Sequence, residues 1–423
     1  MKRITLLSLF LLLAVGGAVI VATPRRAGAQ CGGTTTSTTT TTTTLPCAHL
    51  PATGQTTCWN SNGTVISCAG TGQDGNLRKG AALSYTDNGD GTITDNDTGL
   101  VWEKLSMDGS VHDVTNTYTW ANAFAGHIAT LNSTSFAGHS DWRLPNVKEL
   151  ESIINYENVN PAMSAAFNTG CMPGCTVLTC SCTVADYWSS TTDTGVPTAA
   201  WIVNFDSGFK FSFSKVGNIG FSVRAVRGGS FCLPATGQTT CWDSSGNVIS
   251  CAGTGQDGDI RAGAPLSYTD NGDGTITDND TGLAWEKQSR DGSIHDVNNI
   301  YSWDNAFSVH VATLNSTNFA GHSDWRLPNV KELQSIVNYE NVNPSVSVAF
   351  NTGCAAGCTV LTCSCTESAA PGMADYWSST TNAGALLPGS PVDAWLVNFF
   401  SGFTFNAGKG GNIGSVRGVR GGS

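Results

Sequence analysis

The chain has 423 residues, 40% of them hydrophobic, so it is long enough and apolar enough to bury the cores of two ordinary domains. Its 21 Lys and Arg against 32 Asp and Glu give a formal net charge of -11. This balance argues against nucleic acid as a partner, because such binding depends largely on basic side chains. Low charge together with 49 Gly and 15 Cys is typical of a loop-rich, β-rich extracellular protein.

The N-terminus has the pattern of a secretory signal. Two basic residues precede the apolar run from Ile4 to Ala22, and Ala27-Gly28-Ala29 supplies small residues for cleavage. We therefore predict a signal peptide over residues 1–29, which leaves no membrane span in the mature chain. The alternative is an uncleaved anchor, because the apolar run is nearly long enough to span a bilayer. A lipid anchor on Cys31 is less favoured, since Gln30 before it is not a small residue.

A threonine-rich tract follows the signal. Thr34-Thr35-Thr36-Ser37 leads into an unbroken run from Thr38 to Thr44. Such a tract has no apolar periodicity with which to bury a face, so residues 30–46 are predicted to form an extended linker. Its simplest role is a passive spacer.

Internal repetition sets the number of domains. The string from Leu50 to Trp59 recurs unchanged from Leu233 to Trp242, an offset of 183 residues. Two longer strings match in the same way, and both copies end in Val-Arg-x-Val-Arg-Gly-Gly-Ser. We predict two tandem domains, repeat 1 at 47–230 and repeat 2 at 231–423. Near-identity of this kind indicates duplication and does not by itself mark functional residues.

The first third of each repeat is predicted to form β-hairpins. Asn62-Gly63 lies between β-prone residues within the segment Cys58 to Cys68, and Asn88-Gly89-Asp90-Gly91 separates two further Thr-rich runs. Turn residues between alternating strands are the usual signal of a hairpin. The same pattern recurs in repeat 2.

Two helices are predicted next. Apolar residues recur at helical spacing in both, namely Trp120, Phe124, Ile128 and Leu131 in the first and Val147, Leu150, Ile153 and Ile154 in the second. Asn146 and Glu149 form the pattern of a capping box at the start of the second helix.

The last third of each repeat is predicted to return to strands, over Ala200 to Phe205, Phe209 to Phe213 and Ser222 to Val226. The fold class is therefore α+β, with two helices packed on an antiparallel sheet and many loops in each domain.

An acidic hairpin is the candidate metal site. Hard cations prefer several oxygen ligands at close spacing, as in an EF-type loop. The predicted calcium ligands are Asp87, Asn88, Asp90, Asp95 and Asp97 in repeat 1 and Asp270, Asn271, Asp273, Asp278 and Asp280 in repeat 2. The EF pattern places Thr86 at its first position, where a carboxylate is expected. The alternative is a turn-rich hairpin whose side chains bond nearby amides, and no other cofactor is expected.

Twelve cysteines are predicted to form disulfides, because a secretory context favours these over a zinc or iron–sulfur site. Cys58 is expected to pair with Cys68, and Cys241 with Cys251. Four cysteines in each repeat allow three connectivities, and the sequence does not choose among them: Cys171, Cys175, Cys180 and Cys182, and Cys354, Cys358, Cys363 and Cys365. Cys31, Cys47 and Cys232 remain, so one of them is free or pairs between chains.

Aromatic and arginine side chains are the candidate ligand contacts. Indole rings stack on sugars and guanidinium groups bind anions in a bidentate manner. The residues predicted to bind a ligand are Trp142, Arg143, Trp188, Trp325, Arg326 and Trp377. The alternative is that the indoles belong to the core and that the arginines pair with local carboxylates.

Several ordered strings carry a family resemblance. They are Asp87 to Asp95 with Thr98-Gly-Leu-Val-Trp102, Asp141-Trp-Arg-Leu-Pro145 with Lys148-Glu-Leu150, Trp188-Ser-Ser-Thr191, and Val223-Arg-Ala-Val-Arg-Gly-Gly229. In this order they resemble the bacterial family named after the C-terminal domain of the Legionella collagen-like adhesin (Lcl). The resemblance covers nearly all of both repeats. It implies surface binding, since the named member is similar to a trimeric adhesin that binds sulfated glycosaminoglycans. The collagen-like stalk is absent here, which puts the trimer in doubt.

A more distant resemblance concerns the fold alone. The Trp-x-x-Ala string before the helix led by Trp-Arg-Leu-Pro, and the closing Val-Arg-Gly-Gly-Ser, are similar to the C-type-lectin-like fold and its formylglycine-generating branch. The calcium-dependent sugar motifs of the lectins are missing. The reactive cysteine pair of the enzymes is missing as well, because no Cys lies between Cys182 and Ser230 or between Cys365 and Ser423.

These observations predict an exported, non-enzymatic surface binding or adhesion protein, secreted or held at the bacterial cell surface. A glycan or another surface macromolecule is the expected partner, and two copies of a weak site would raise avidity. The acidic net charge makes a sulfated polyanion an awkward ligand. The alternatives are an enzyme on the formylglycine-generating type of fold and a calcium-stabilised structural surface protein. The oligomeric state is left open.

Overall fold

The computed structural model describes residues 50–229, 233–368, 374–384, 391–411 and 413–422. The predicted signal peptide, the Thr-rich linker and the three unassigned cysteines lie outside these residues. All described residues belong to one compact unit, Ser37–Ser423. Both repeats are therefore parts of a single folded body.

Repeat 1 has an α+β fold built from short elements, as predicted. Its strands are β1 Cys58–Trp59, β2 Val65–Ile66, β3 Tyr85–Asp87, β4 Thr92–Asp95, β5 Val101–Glu103, β6 Asp186–Thr192, β7 Ala199–Asn204, β8 Lys210–Ser214 and β9 Val226–Arg227. Its α-helices are α1 Asp74–Leu77, α2 Trp120–Asn122, α3 Ala129–Ser133 and α4 Val147–Ser152. A π-helical segment, Ala123–Ile128, joins α2 to α3, and 3-10 turns span Phe136–Gly138 and Ala165–Phe167.

Repeat 2 follows the same order. Its strands are β10 Cys241–Trp242, β11 Val248–Ile249, β12 Tyr268–Asp270, β13 Thr275–Asp278, β14 Ala284–Glu286, β15 Asp375–Thr381, β16 Asp393–Asn398, β17 Thr404–Gly408 and β18 Val419–Arg420. Its α-helices are α5 Asp257–Ile260, α6 Trp303–Asn305, α7 Ala312–Ser316 and α8 Val330–Ser335. The π-helical segment recurs at Ala306–Val311, and 3-10 turns recur at Phe319–Gly321 and Val348–Phe350.

The hairpins and the second helix match their predictions. β1 pairs with β2, and β3 pairs with β4 across the Asn88–Gly91 turn. The Asn146 side chain accepts a hydrogen bond from Glu149 N, and the Glu149 carboxylate accepts one from Asn146 N, so the capping box is complete. Local sequence therefore specifies these elements directly.

The first predicted helix is interrupted. Trp120, Ile128 and Leu131 lie on the buried face, as the periodicity indicates, while Phe124 is only half-buried. The π-helical segment between α2 and α3 inserts a wider turn, which the apolar spacing alone did not predict.

The predicted strand from Ser222 to Val226 is wrong over most of its length. Only Val226 and Arg227 form the ladder of β9, and Ser222 makes an isolated bridge to Tyr187. The intervening Arg224 is fully buried, and its guanidinium donates to the carbonyls of Glu103 (2.8 Å) and Cys182 (2.6 Å). The chain runs between two sheets here instead of continuing in one.

Three sheets of four or more strands organise the described part of the chain, and β1-β2 and β10-β11 form two further two-stranded sheets. Each repeat has a four-stranded antiparallel sheet, β3-β4-β5-β9 in repeat 1 and β12-β13-β14-β18 in repeat 2. The third sheet has six strands in the order β6-β7-β8-β17-β16-β15, so repeat 1 supplies one half and repeat 2 the other. The halves meet where Lys210 of β8 pairs with Thr404 of β17. One apolar core contains Trp102 and Trp201 together with Trp285 and Trp395, and therefore spans both repeats.

The first segment of each repeat reaches across to the other repeat. We call residues 50–82 and 233–265 the bridging segments. The Gln55 side chain donates to Thr381 O (2.8 Å) and accepts from Thr381 N (2.9 Å). Gln238 makes the same pair of bonds to Thr192, at 2.9 and 3.0 Å. Each repeat thus binds the other through equivalent hydrogen bonds.

Further buried polar contacts cross the same junction. Thr380 donates to Asp74 Oδ2, and Thr191 donates to Asp257 Oδ2, both at 2.6 Å. Lysines of the paired helices α4 and α8 complete the set. Lys148 Nζ donates to carbonyl oxygens of Ala235 (2.9 Å) and Ser335 (2.8 Å). Its counterpart Lys331 bonds Ala52 O and Ser152 O in the same way.

Candidate functional site

The six disulfides among the described residues lie where cysteines were predicted to pair. Cys58–Cys68 and Cys241–Cys251 close the first hairpins, as expected. The other four connect cysteines 11 and 5 residues apart: Cys171–Cys182, Cys175–Cys180, Cys354–Cys365 and Cys358–Cys363. The structure thus selects one of the three connectivities that the sequence left open. Bonded thiols are not available as metal ligands.

The aspartates predicted to bind calcium accept hydrogen bonds or form ion pairs within repeat 1. Asp87 Oδ2 lies 2.7 Å from Lys104 Nζ, and its Oδ1 accepts from Gly89 N (3.0 Å). Asp90 Oδ1 accepts from Thr92 N, and Asp95 Oδ1 accepts from Asp97 N. These are the contacts of the alternative, turn-rich interpretation.

Repeat 2 has the same arrangement. Asp270 pairs with Lys287, and the contacts of Asp273 and Asp278 match those of Asp90 and Asp95. Within the described residues, the groups of three or more His, Cys, Asp or Glu side chains close enough to share an ion are two cysteine triads, and both consist of disulfide-bonded residues. Calcium binding stays a prediction, and a melting temperature unmoved by chelator would count against it.

The outer face of the same hairpin carries a row of uncharged polar side chains, which we call the polar ladder. Its members are Ser84, Thr86, Asn88, Thr94 and Asn96 in repeat 1, and Ser267, Thr269, Asn271, Thr277 and Asn279 in repeat 2. Thr86 Oγ1 donates to Asn96 Oδ1 (3.0 Å), and Asn96 Nδ2 donates to Ser84 Oγ (3.0 Å). Thr94 exchanges hydrogen bonds with Asn88 in both directions.

The polar ladder is exposed and locally fixed. Four of its five side chains in each repeat are exposed, and Thr94 and Thr277 are half-buried. Because cross-strand pairing sets the spacing and the mutual hydrogen bonds set the rotamers, hydroxyl and amide groups are held in one plane of the sheet. The same surface is present twice on one body.

The residues predicted to contact a ligand lie mostly inside. Trp142, Trp188, Trp325 and Trp377 are at most 3% exposed, and Trp188 donates its indole N–H to Tyr118 O. Arg143 makes a bidentate pair with Glu149 at 2.6 and 2.7 Å, and Arg326 makes the same pair with Glu332. These contacts are those of the core and local-pairing alternative. Their role in binding stays a prediction.

A groove at the boundary of the repeats includes two of those residues. Trp325 and Arg326 line it together with Phe307 of repeat 2 and with Gly72 and Lys79 of repeat 1. Its charged groups are already bonded, since Lys79 Nζ donates to Gly422 O (2.9 Å) and Arg326 donates to Gly421 O (3.1 Å). The groove therefore has a mixed lining, in which aromatic and aliphatic side chains lie beside polar ones such as Asn315.

A buried His–Glu–His cluster was not predicted. The Glu103 carboxylate contacts His112 Nδ1 at 2.7 Å and His127 Nε2 at 2.8 Å, and it accepts from Ala225 N at 2.9 Å. Tyr118 OH lies 3.3 Å from His127 Nδ1. The spacing of His127 seven residues after Trp120, on the buried helix face, was the available signal.

The cluster has the electrostatics of a closed structural network. Burial raises the pKa of Glu103, but the charge of His127 and the hydrogen bonds from both histidines outweigh it and lower the pKa to about 2. Repeat 2 repeats the cluster at Glu286, with His295 and His310 at 2.6 and 2.8 Å. Both oxygens of the carboxylate are occupied, so the group is held ionised with its hydrogen-bonding capacity largely used.

Among the described residues, no helix combines the length and the apolar composition that a membrane crossing requires. A search of curated proteins gave no match to the chain. The family model of the Lcl C-terminal domain matches twice, at residues 91–227 and 274–420, and together these matches cover more than half of the chain. The chain therefore belongs to the Lcl C-terminal domain family, and it carries two tandem copies of that domain.

Proposed function

We propose that the protein is an exported, non-enzymatic surface binding or adhesion protein with two binding faces on one rigid body. Membership of the Lcl C-terminal domain family supports an adhesin-like role at a surface. The observation that carries the proposal is the six-stranded sheet shared by both repeats, because it fixes the two copies of every exposed face relative to each other.

The polar ladders are the proposed binding faces, and an uncharged glycan is the proposed ligand class. A row of Thr, Asn and Ser groups offers donors and acceptors at the spacing of neighbouring strands, which suits a ligand rich in hydroxyl groups. The five side chains of each ladder are uncharged, and the chain as a whole has a net charge of -11. Both facts favour a neutral glycan over a sulfated polyanion, which would be repelled by the excess acid.

A glycan array probed with the full chain tests this proposal. The matched test variant is Thr86→Glu with Thr269→Glu, which places a charge on each ladder at an exposed position. The control is Ala69→Glu with Ala252→Glu, which adds the same charge at exposed positions of the turns that follow the first hairpins. We expect binding of neutral glycans by the native chain and the control, and its loss in the ladder variant. Retained binding in the ladder variant would refute the assignment of the site.

A second comparison tests bivalence. Thr86→Glu alone leaves one intact ladder. The amount of a soluble single-site glycan bound per chain should therefore fall only about two-fold. Apparent affinity for a densely coated surface should fall by roughly 10²-fold or more, because linked sites gain avidity. Equal losses on both formats would contradict a fixed pair of binding faces.

A further inference from the structure

Most contacts at the junction between the repeats occur twice, once from each repeat. The residues at the centre of the junction differ between the two repeats. Lys210 of β8 and Thr404 of β17 lie directly opposite each other as the pair that joins the two halves of the central sheet. The helices above the centre differ in the same way, since Glu151 of α4 corresponds to Gln334 of α8. Repeat 1 thus places a Lys and a Glu where repeat 2 places a Thr and a Gln.

The two central residues of each repeat contact each other. Lys210 Nζ lies 2.6 Å from Glu151 Oε1, and the side chains of both residues are at most 4% exposed. Lys210 also donates to the hydroxyl of Tyr339, a residue of repeat 2. On the other side, Gln334 donates to Thr404 Oγ1 and to Tyr156 OH, each at 3.2 Å. A charged pair therefore faces a neutral pair across the junction.

Pairing of like repeats would change this centre. If repeat 1 docked on repeat 1 of a second chain by the same contacts, two Lys210–Glu151 pairs would meet at this buried position, with the two lysines directly opposite each other. Like charges directly across a strand pair are destabilising, and burial removes the water that would screen them. Thr404 removes that repulsion from the pairing of unlike repeats.

We propose that the junction is a self-sufficient dimer interface between two repeats, and that Lys210 facing Thr404 directs the pairing to unlike repeats. The partner that this surface excludes is the equivalent repeat of a second copy of the chain. Covalent linkage between the repeats then sets their local concentration but is not needed to hold them together. The matched bonds of Gln55, Gln238, Lys148 and Lys331 supply the contacts common to both sides.

Cleavage of the full chain between the repeats tests self-sufficiency. A specific protease site is inserted between Ser230 and residue 232 of a Cys232→Ser variant, the folded protein is cut, and its mass is measured under native conditions without reductant. Every other cysteine after the cut is disulfide-bonded within repeat 2, so no disulfide can link the two fragments. We expect the fragments to remain together at the mass of the whole chain. Their separation without denaturant would overturn the proposal.

Two variants test the direction of pairing. Thr404→Lys creates the opposed lysines within the chain, and we expect the cut protein to dissociate and the uncut protein to lose roughly 5 °C or more in Tm. Ser214→Lys adds the same charge at an exposed position of β8 as the control. Unchanged association and Tm in Thr404→Lys would contradict the proposal.

Glu151→Gln with Lys210→Thr makes the two centres alike. This variant should form a larger fraction of two-chain species than the native protein when both are refolded at the same concentration. An equal fraction would show that the central pairs do not direct the pairing.

Discussion

The junction between the repeats and the polar ladder use similar side chains for different ends. At the junction, the amide of Gln55 and the hydroxyl of Thr380 are buried, and their bonds cross from one repeat to the other. On the ladder, Thr86 and Asn96 are exposed and bond within one hairpin. A polar group buried at the junction has no water to replace a lost partner, whereas one on the ladder does. Burial and not residue type therefore decides which of these groups stabilise the protein.

The largest effect is expected at the junction. Gln55→Ala with Gln238→Ala removes the two bonds to Thr381 and the two to Thr192, and leaves these buried backbone groups without those partners. We expect the free energy of unfolding to fall by about 5 kcal/mol in total, since each unsatisfied buried group costs about 1–3 kcal/mol. Denaturant titration measures this change. A loss below about 1 kcal/mol would contradict the role of the two glutamines in holding the repeats together.

A pH-dependent effect of intermediate size is expected from the buried aspartates. Burial raises the pKa of Asp74 from 3.8 to about 6, despite the hydrogen bond from Thr380. The folded state therefore favours the protonated carboxyl, and this contribution to stability is full below pH 3.8 and is lost as the pH rises through about 6.

Asp74→Asn removes that titration. The difference in unfolding free energy between pH 4 and pH 8 should change by about 2 kcal/mol relative to the native chain, with the variant relatively more stable at pH 8. Asp90→Asn is the control, since Asp90 is exposed. Parallel pH profiles for the native chain and Asp74→Asn would rule out a buried, proton-binding carboxyl at this position.

The smallest effect is expected on the ladder. Thr86→Ala with Thr269→Ala removes exposed hydroxyls, so the free energy of unfolding should change by no more than about 0.5 kcal/mol. Any loss of glycan binding in this variant would then reflect the binding face itself. A large loss of unfolding free energy would show that the ladder hydrogen bonds stabilise the protein as the junction bonds do, which would contradict the contrast between the two regions.

The sequence predicted what neighbouring residues determine. The hairpin turns, the Asn146–Glu149 capping box and the Cys58–Cys68 pair all depend on residues close together in the chain, and the duplication is visible by comparing the sequence with itself. The C-type-lectin-like assignment and the domain boundaries stay predictions.

The rest depends on contacts that spacing does not reveal. Gln55 and Thr381 are 326 positions apart, so nothing local indicates that they bond. Near-identity of the repeats indicated two copies but not that they share one sheet and one core. The Glu103 cluster was missed because its histidines lie 9 and 24 residues away and converge only in the fold. Long-range polar pairing is thus the part that required the structure.

Thermal unfolding of the full chain, followed by calorimetry, tests the central claim that the two repeats are one cooperative body. The shared sheet and the bridging segments predict a single transition whose calorimetric and van't Hoff enthalpies agree. Two separate transitions, each with the enthalpy of one repeat, would contradict the account.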